Sequence, residues 1–358
     1  MEIVLAVVSF ILIVSVFLSL ARKDFWIYKI LEHPRLQKLG LIIIVTGCWF
    51  VFWPLQKLVY QVILVGWFLS IIYLFYKILP YTTLSKKEMK RVKPTDPKNE
   101  FKVFSANVLQ ENQQYTLMLQ QIKASDPDLI FLLETNAAWA NAMQELENDY
   151  PYTLLSPLEN TYGLLFYSRL KLENAKINFL VKNDVPSIEA ITILPSGQKV
   201  QIWGLHPEPP VPGESLYSTA KDKELMKVAL KPKDFGFPCM VFGDLNDVAW
   251  SHTTELFRKT SELLDPRRGR GFYYTFSAHH WYIRFPLDYI FCSTEFALIT
   301  MRRLPKNGSD HFATLTYLAL RKELKKKQSP PKADKAEMKE AHELATQSIR
   351  IIAVQLIS

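Results

Sequence analysis

Cysteine is scarce: three residues in 358, Cys48, Cys239 and Cys292, with none at metal-ligand spacing from another. A zinc site built from a Cys/His cluster is therefore excluded, and all three read as small buried hydrophobes that leave the redox compartment open. No internal repeat is present, which excludes a solenoid or array. Charge is missing from three stretches. Met1 to Leu20 carries only Glu2, while Gly40 to Trp53 and Leu58 to Tyr76 carry none, with Pro54-Leu55-Gln56-Lys57 between the last two. Each lies near the roughly 20 residues that cross a bilayer, so three transmembrane helices are expected. The first lacks the basic start and small-x-small cleavage site of a secretory signal, which favours an anchor. Trp49, Trp53, Tyr60, Trp67 and Tyr73 suit either membrane interfaces or packing between helices.

The net charge of +8 is unevenly placed. Residues 101–320 hold 21 Lys and Arg against 24 Asp and Glu, whereas 22–38, 81–100 and 321–340 are each basic. Such flanks suit anionic headgroups, and a nuclease tracking long duplex DNA more often carries its positive charge on the catalytic domain. Four segments follow: a membrane anchor over 1–80, a basic linker over 81–100, a catalytic domain over 101–320 and a basic, partly helical tail over 321–358. With three spans, both basic loops fall on one side, and the positive-inside rule puts that side in the cytoplasm. The expected location is a multi-pass membrane protein, with membrane lipids as partners and no protein partner inferable. The terminal IRIIAVQLI is apolar but too short to span.

Within 101–320, short apolar runs alternate with helical patterns. FKVFSANV, DLIFLLE, GLLFYS, EAITIL, KVQIWGLH, PCMVFGD, LDYIFCS and HFATLTYLA read as strands; NQQYTLMLQQIKAS and NAAWANAMQEL read as helices. An α+β sandwich flanked by helices is the expected class. Polar residues cluster at strand ends: Asn107, Glu134, His206, Asp244 with Asn246, Asp288, and Asp310 with His311. Strand ends of one layer gather at one sheet edge, so these side chains can share a pocket. Oxygen ligands suit a hard cation such as Mg²⁺, leaving histidines and spare aspartates for proton transfer. That set fits phosphoryl-ester hydrolysis.

In chain order, SANVL, LIFLLET, YGLLFYSR, GLHPEPP, GDLND, PLDYIFCS and GSDHFAT resemble the endonuclease/exonuclease/phosphatase superfamily, which includes pancreatic deoxyribonuclease, abasic-site endonucleases, neutral sphingomyelinases and inositol-polyphosphate phosphatases. The resemblance covers roughly Phe101 to Leu320 and looks like the membrane-anchored bacterial type, which points to an inner membrane. It implies a deoxyribonuclease-like four-layer α/β/β/α sandwich and a Mg²⁺-dependent hydrolase, with Mn²⁺ as a substitute ion. By matching position, Glu134 is the implied principal metal ligand, with Asn107 and Asp310 close by. The resemblance further implies that Asp288 fixes the tautomer of His311, that Asp244 orients or deprotonates the attacking water, with His311 as the alternative base, and that Asn246 and His206 hold phosphoryl oxygens. Gly243 is expected to permit a sharp turn, and Asp247 to cap a following helix.

Departures bear on substrate. Leu109 stands where abasic-site endonucleases have an acidic residue, and no carboxylate directly precedes GLLFYS to partner His206. The proline-rich HPEPPVPG shapes a pocket or braces the backbone. Arg267, Arg268 and Arg270, interleaved with Phe272, Tyr273, Tyr274 and Phe276, are candidate substrate-binding residues for a nucleic acid or a lipid phosphate, against a solvated loop with inward aromatics. Arg302 and Arg303 read as a surface pair, and His279, His280 and Trp281 as cleft lining or plain loop. The leading expectation is a membrane-anchored phosphoesterase acting on a phosphate-bearing substrate near the bilayer, lipid-linked substrates included. The alternatives are a membrane-tethered nuclease and, a distant third, a non-catalytic scaffold.

Overall fold

A computed structural model describes residues 2–52, 58–232 and 236–349. Its centre is two facing sheets. One has strand order β10-β11-β1-β2-β4-β3 and the other β5-β6-β7-β8-β9. The first comprises β1 (Glu100–Asn107), β2 (Leu129–Leu133), β3 (Tyr152–Ser156), β4 (Leu164–Ser168), β10 (Phe296–Arg303) and β11 (Thr314–Leu320). The second comprises β5 (Lys171–Asn178), β6 (Ser187–Ile193), β7 (Lys199–Leu205), β8 (Cys239–Asp244) and β9 (Asp288–Cys292).

Alternation along the strands explains the layers. Phe101 and Val103 of β1, Phe131 of β2, Ile202 of β7 and Phe242 of β8 point between the sheets into one core. Their neighbours Phe104, Ile130 and Leu132 face outward, against Met118 and Ile122 of α5 (Tyr115–Ser125) and Trp139 of α6 (Ala137–Met143). On the other outer face Trp203 and Val241 meet α7 (Thr219–Ala229), α8 (His252–Ser261) and α9 (Lys335–Thr346). The expected α/β/β/α sandwich is thus present. The helical end of the tail is α9, with Ala341 and Ala345 buried; the apolar terminus beyond Ile349 lies outside the described residues.

The expectation of three spans is corrected. Three apolar helices, α1 (Glu2–Leu18), α3 (Arg35–Phe52) and α4 (Leu58–Ile78), do pack together, with α2 (Trp26–Ile30) between the first two. Among the described residues only Leu58–Tyr81 is long and apolar enough to cross a membrane. Helix α1 has 17 residues, about 26 Å at 1.5 Å per residue, against roughly 30 Å of hydrocarbon. Helix α3 spends its first turn on Arg35 and Lys38, and Trp53, the end of the second expected span, is outside the described residues. Trp49, Tyr60 and Trp67 are buried between helices, and Trp49 donates to the Ser9 hydroxyl at 3.0 Å.

The basic residues of 22–38 are largely spent on protein contacts. Lys29 pairs with Asp222 at 3.1 Å, Arg35 reaches Glu32 and the Trp250 carbonyl at 2.8 and 2.7 Å, and Trp250 Nε1 donates to the Glu32 carbonyl. Burial opposes the Lys29 charge, but Asp222, Asp247 and Glu32 outweigh it and hold its pKa above the usual lysine range. In the linker, Tyr81 donates to the Ala249 carbonyl and Met89 enters the inter-sheet core. Residues 22–38 and 81–91 therefore clamp the bundle to the sandwich.

Candidate active site

Two parallel pairings set the site. Strand β1 runs parallel to β2, and β7 to β8, so the C-terminal ends of each pair lie together, and the approach of Asn107 to Asp244 shows that the two pairs end at the same edge of the sandwich. Asn107, Glu134, His206 and Asp244 stand at those ends. Antiparallel β9 starts at the same edge, with Asp288 paired to Asp244. The segment entering β11 brings Asp310 and His311 there as well, because Thr314 pairs with Ser105 near the end of β1. Gly243 lies at φ +128° beside Leu205, and a Cβ there would stand 2.1 Å from the Leu205 carbonyl oxygen. Close backbone approach between parallel strands, and not a turn, is what requires glycine.

Asn107 Nδ2 donates to Glu134 Oε1 at 2.6 Å and lies 3.3 Å from Asp244 Oδ2. His311 sits between two carboxylates, Asp288 Oδ2 at 2.9 Å from Nδ1 and Asp244 Oδ2 at 3.6 Å from Nε2. The backbone N–H of Asn246 donates to Asp244 Oδ1 at 2.9 Å, and Asn246 Nδ2 to the Pro207 carbonyl at 3.0 Å. Part of HPEPPVPG thus braces Asn246. Glu134 and Asn246 hold positive φ of 58° and 50°, a backbone cost that clusters at functional positions.

Electrostatics follow from burial. Desolvation, opposed by the Asn107 hydrogen bond and His311, holds Glu134 at about 7. Asp244 is also pushed up by burial, and His311 opposes the shift. Burial pulls His311 down, yet Asp288 and Asp244 overcome it and keep the imidazole protonated well above its ordinary range. His206, 3% exposed, is lowered to about 4 by burial and by the His311 charge. Among the described residues its Nδ1 has no hydrogen-bond partner; Tyr162, directly before GLLFYS, has its ring centroid 5.7 Å away.

Two groupings could take a cation. Asp244, Asp288 and His311 offer ligand atoms within 4.8 Å of one another, but the imidazolium between the carboxylates already compensates them. Glu134 is different: a partly buried carboxylate that accepts from the Asn107 amide and the Gln110 backbone N–H and feels the charges of His311 and Asp310. Two neighbouring carboxylates beside a carboxamide oxygen are the donor set of a hard divalent ion.

Arg267, Arg268 and Arg270, the candidate substrate-binding residues, are engaged by protein groups. The Arg267 fork pairs with buried Asp265 at 2.8 and 3.0 Å, caps the Tyr289 ring at 3.9 Å and donates to the Asp288 carbonyl at 3.0 Å. Arg268 contacts Glu88 and Glu255 at 3.2 and 3.1 Å, and Arg270 donates to the Pro266 and Met89 carbonyls. Asp247 pairs with Lys221 at 2.7 Å and caps nothing; Ser251 caps α8. Three supporting residues, Ser309, Thr275 and Arg284, had no sequence signal, and Arg303 is the exposed residue expected of a surface pair. Ser309 accepts from His311 N and donates to the Asn107 carbonyl. Thr275 Oγ1 accepts from Asp288 N. Arg284 and Arg303 lie over Phe312, next to His311, at 5.4 and 4.1 Å.

Comparison with known proteins follows this geometry. A sequence model described as "Endonuclease/Exonuclease/phosphatase family" matches residues 102–311. No curated protein matches the sequence. D. rerio TDP2 complexed with a single-strand DNA product is similar at 17% identity and TM-score 0.52, over 61% of this chain and 98% of that one. A family protein from Bacteroides thetaiotaomicron is similar at 16% and 0.52, over 63% and 96%. The mannosyl-6-phosphatase of the same organism is similar at 17% and 0.50, over 62% and 100%. At these identities the likeness shows the fold alone.

Proposed function

The chain belongs to the endonuclease/exonuclease/phosphatase family of metal-dependent phosphoric-ester hydrolases, and from that premise we propose a membrane-anchored, Mg²⁺-dependent phosphoesterase that acts on a phosphate-bearing substrate at the bilayer, with a lipid-linked ester or anhydride favoured. The observation that carries the reading is the convergence of Asn107, Glu134, Asp244, Asp288 and His311 at one sheet edge. Clamping of that sandwich to a helical bundle containing one helix of spanning length supports the membrane part.

Glu134 and Asp310, with Asn107 beside them, would hold the cation, which when bound supplies charge to the phosphoryl oxygens. The protein's own groups do the rest. Asp288 fixes the ring of His311 through Nδ1, and with carboxylates at both nitrogens His311 stays cationic and faces the phosphoryl group as a donor. Asp244, oriented by the Asn246 amide, takes the proton of the attacking water. His206, neutral and unpartnered at Nδ1, and the Asn246 side chain position phosphoryl oxygens. With one helix of spanning length in place of three, the charge rule no longer assigns the side of the domain, which a reporter fusion after residue 349 tests.

A tethered nuclease is the second reading, favoured by the DNA complex of the TDP2 neighbour. Against it, the arginine cluster suited to a nucleic-acid backbone is consumed by Asp265, Glu88 and Glu255. The purified full chain incubated with plasmid, with phospholipid and with polyprenyl pyrophosphate decides between them. Mg²⁺-dependent lipid-phosphate release supports the proposal; brisk DNA cleavage without lipid turnover reverses it.

A further inference from the structure

Outside the helical bundle, the described residues include six large, exposed apolar side chains, and three are consecutive: Trp281 at 79%, Tyr282 at 54% and Ile283 at 39%. Scattered exposed hydrophobes need no explanation, but a contiguous run does. This run forms the tip of a loop closed at its neck, where the Ser277 N–H donates to the Ile283 carbonyl at 2.9 Å and Phe276 pairs with Phe285.

The neck belongs to the active site. The Ala278 N–H donates to the Asp310 carbonyl at 2.6 Å, and the Phe276 ring lies 5.2 Å from that of His311. The tip belongs to the bundle. Gln37, in the first turn of α3, donates to the Tyr282 carbonyl at 3.2 Å, and His33 meets Phe285 edge-on at 5.5 Å. The end of α1, the start of α3 and the end of α4 all lie at this side, which is where the headgroup layer begins if the bundle sits in a bilayer. Leu84, 80% exposed, follows shortly after α4.

From this juxtaposition we infer that the 279–284 loop beds in the bilayer interface and opens the site onto the headgroup layer. Trp and Tyr suit that depth, with apolar bodies and polar edges. Arg284, following the tip and lying over Phe312 beside His311, places a cation between the headgroups and the site. The substrate class is then a phosphate ester or anhydride carried by a membrane lipid and reached laterally. The inference rests on the membrane-anchored reading given above.

The test uses the full chain in phosphatidylcholine/phosphatidylglycerol vesicles, with a Cys48→Ala background and an environment-sensitive label on Trp281→Cys or, independently, Ile283→Cys. Lys322→Cys, beyond the opposite end of β11, serves as the water-exposed control. Blue-shifted emission at 281 and 283, quenched by phospholipid brominated near its headgroup, with neither effect at 322, is the expected result. Labels at 281 and 283 as wet as at 322 overturn the contact. A blue shift without lipid quenching overturns it too, since a second copy of the chain would then cover the tip. Either outcome leaves the phosphoesterase reading standing, because that is judged separately by divalent-dependent hydrolysis in the same preparation.

Discussion

Replacing Arg267 separates its sequence reading from its structural one. As a substrate-binding residue, Arg267→Met would raise KM and leave the fold intact. In the structure the side chain is 3% exposed, and Asp265, 1% exposed, depends on it for charge compensation. Burial alone would lower the arginine pKa, yet Asp265 raises it above the ordinary value, so the pair is electrostatically bound together. Removing one member of such a pair costs about 3–5 kcal/mol because the other is left charged in a dry site. For a domain of this size that is a fall in melting temperature on the order of 10 °C. Arg267→Lys should recover only part, since a point charge cannot reproduce the fork over Asp265 and the bond to the Asp288 carbonyl. Adding Asp265→Leu to Arg267→Met should restore part of the loss, though the Arg267 N–H then loses its 2.9 Å acceptor. Thermal unfolding of the detergent-solubilised chain, with kcat and KM measured below the transition, reads all three. A wild-type melting temperature with a tenfold higher KM would refute the structural assignment.

Four further outcomes are expected. His311→Ala should cut turnover by about 10³-fold or more while the melting curve stays in place; near-normal hydrolysis of every substrate tested would contradict the site. Gly243→Ala should destabilise by about 3–5 kcal/mol, because its Cβ meets the Leu205 carbonyl at 2.1 Å and φ is +128°; an unchanged denaturation midpoint would show that the strands can part. His206 has a folded pKa of about 4 against 6.5, so its contribution is intact above 6.5 and is lost as pH falls toward 4, by up to about 3 kcal/mol; His206→Gln should flatten that acid limb in a pH series of unfolding midpoints. Glu134, held at about 7 against 4.5, loses stability as pH rises from 4.5 through 7 in chelator, and a bound cation should reverse that loss. Mg²⁺ should therefore raise the melting temperature more at pH 8 than at pH 5, and Glu134→Gln should abolish the difference; an equal response in the variant would remove Glu134 from the ligand set.

Much of the site was legible in the chain because each residue sits where a strand pattern stops. Period-2 apolar runs fix where β1, β2, β7 and β8 end, parallel pairing then brings Asn107 beside Glu134 and His206 beside Asp244, and the face-to-face packing of the two sheets joins the pairs at one edge. The apolar stretches likewise announced three helices near the N-terminus. What the pattern could not carry was the partner of each charge. Nothing local says that Arg267 faces Asp265 and Tyr289, that Asp247 meets Lys221 twenty-six positions earlier, or that Lys29 and Arg35 dock on the sandwich. Ion pairing is decided by distance in space, and sequence spacing bounds that distance only within one helix or strand. Helix length posed the same problem: the apolar count of α3 includes no penalty for the two cations in its first turn, which find their partners only in the folded chain. The exposed tip at Trp281 became meaningful for the same reason, once folding set it between the bundle and the imidazole of His311.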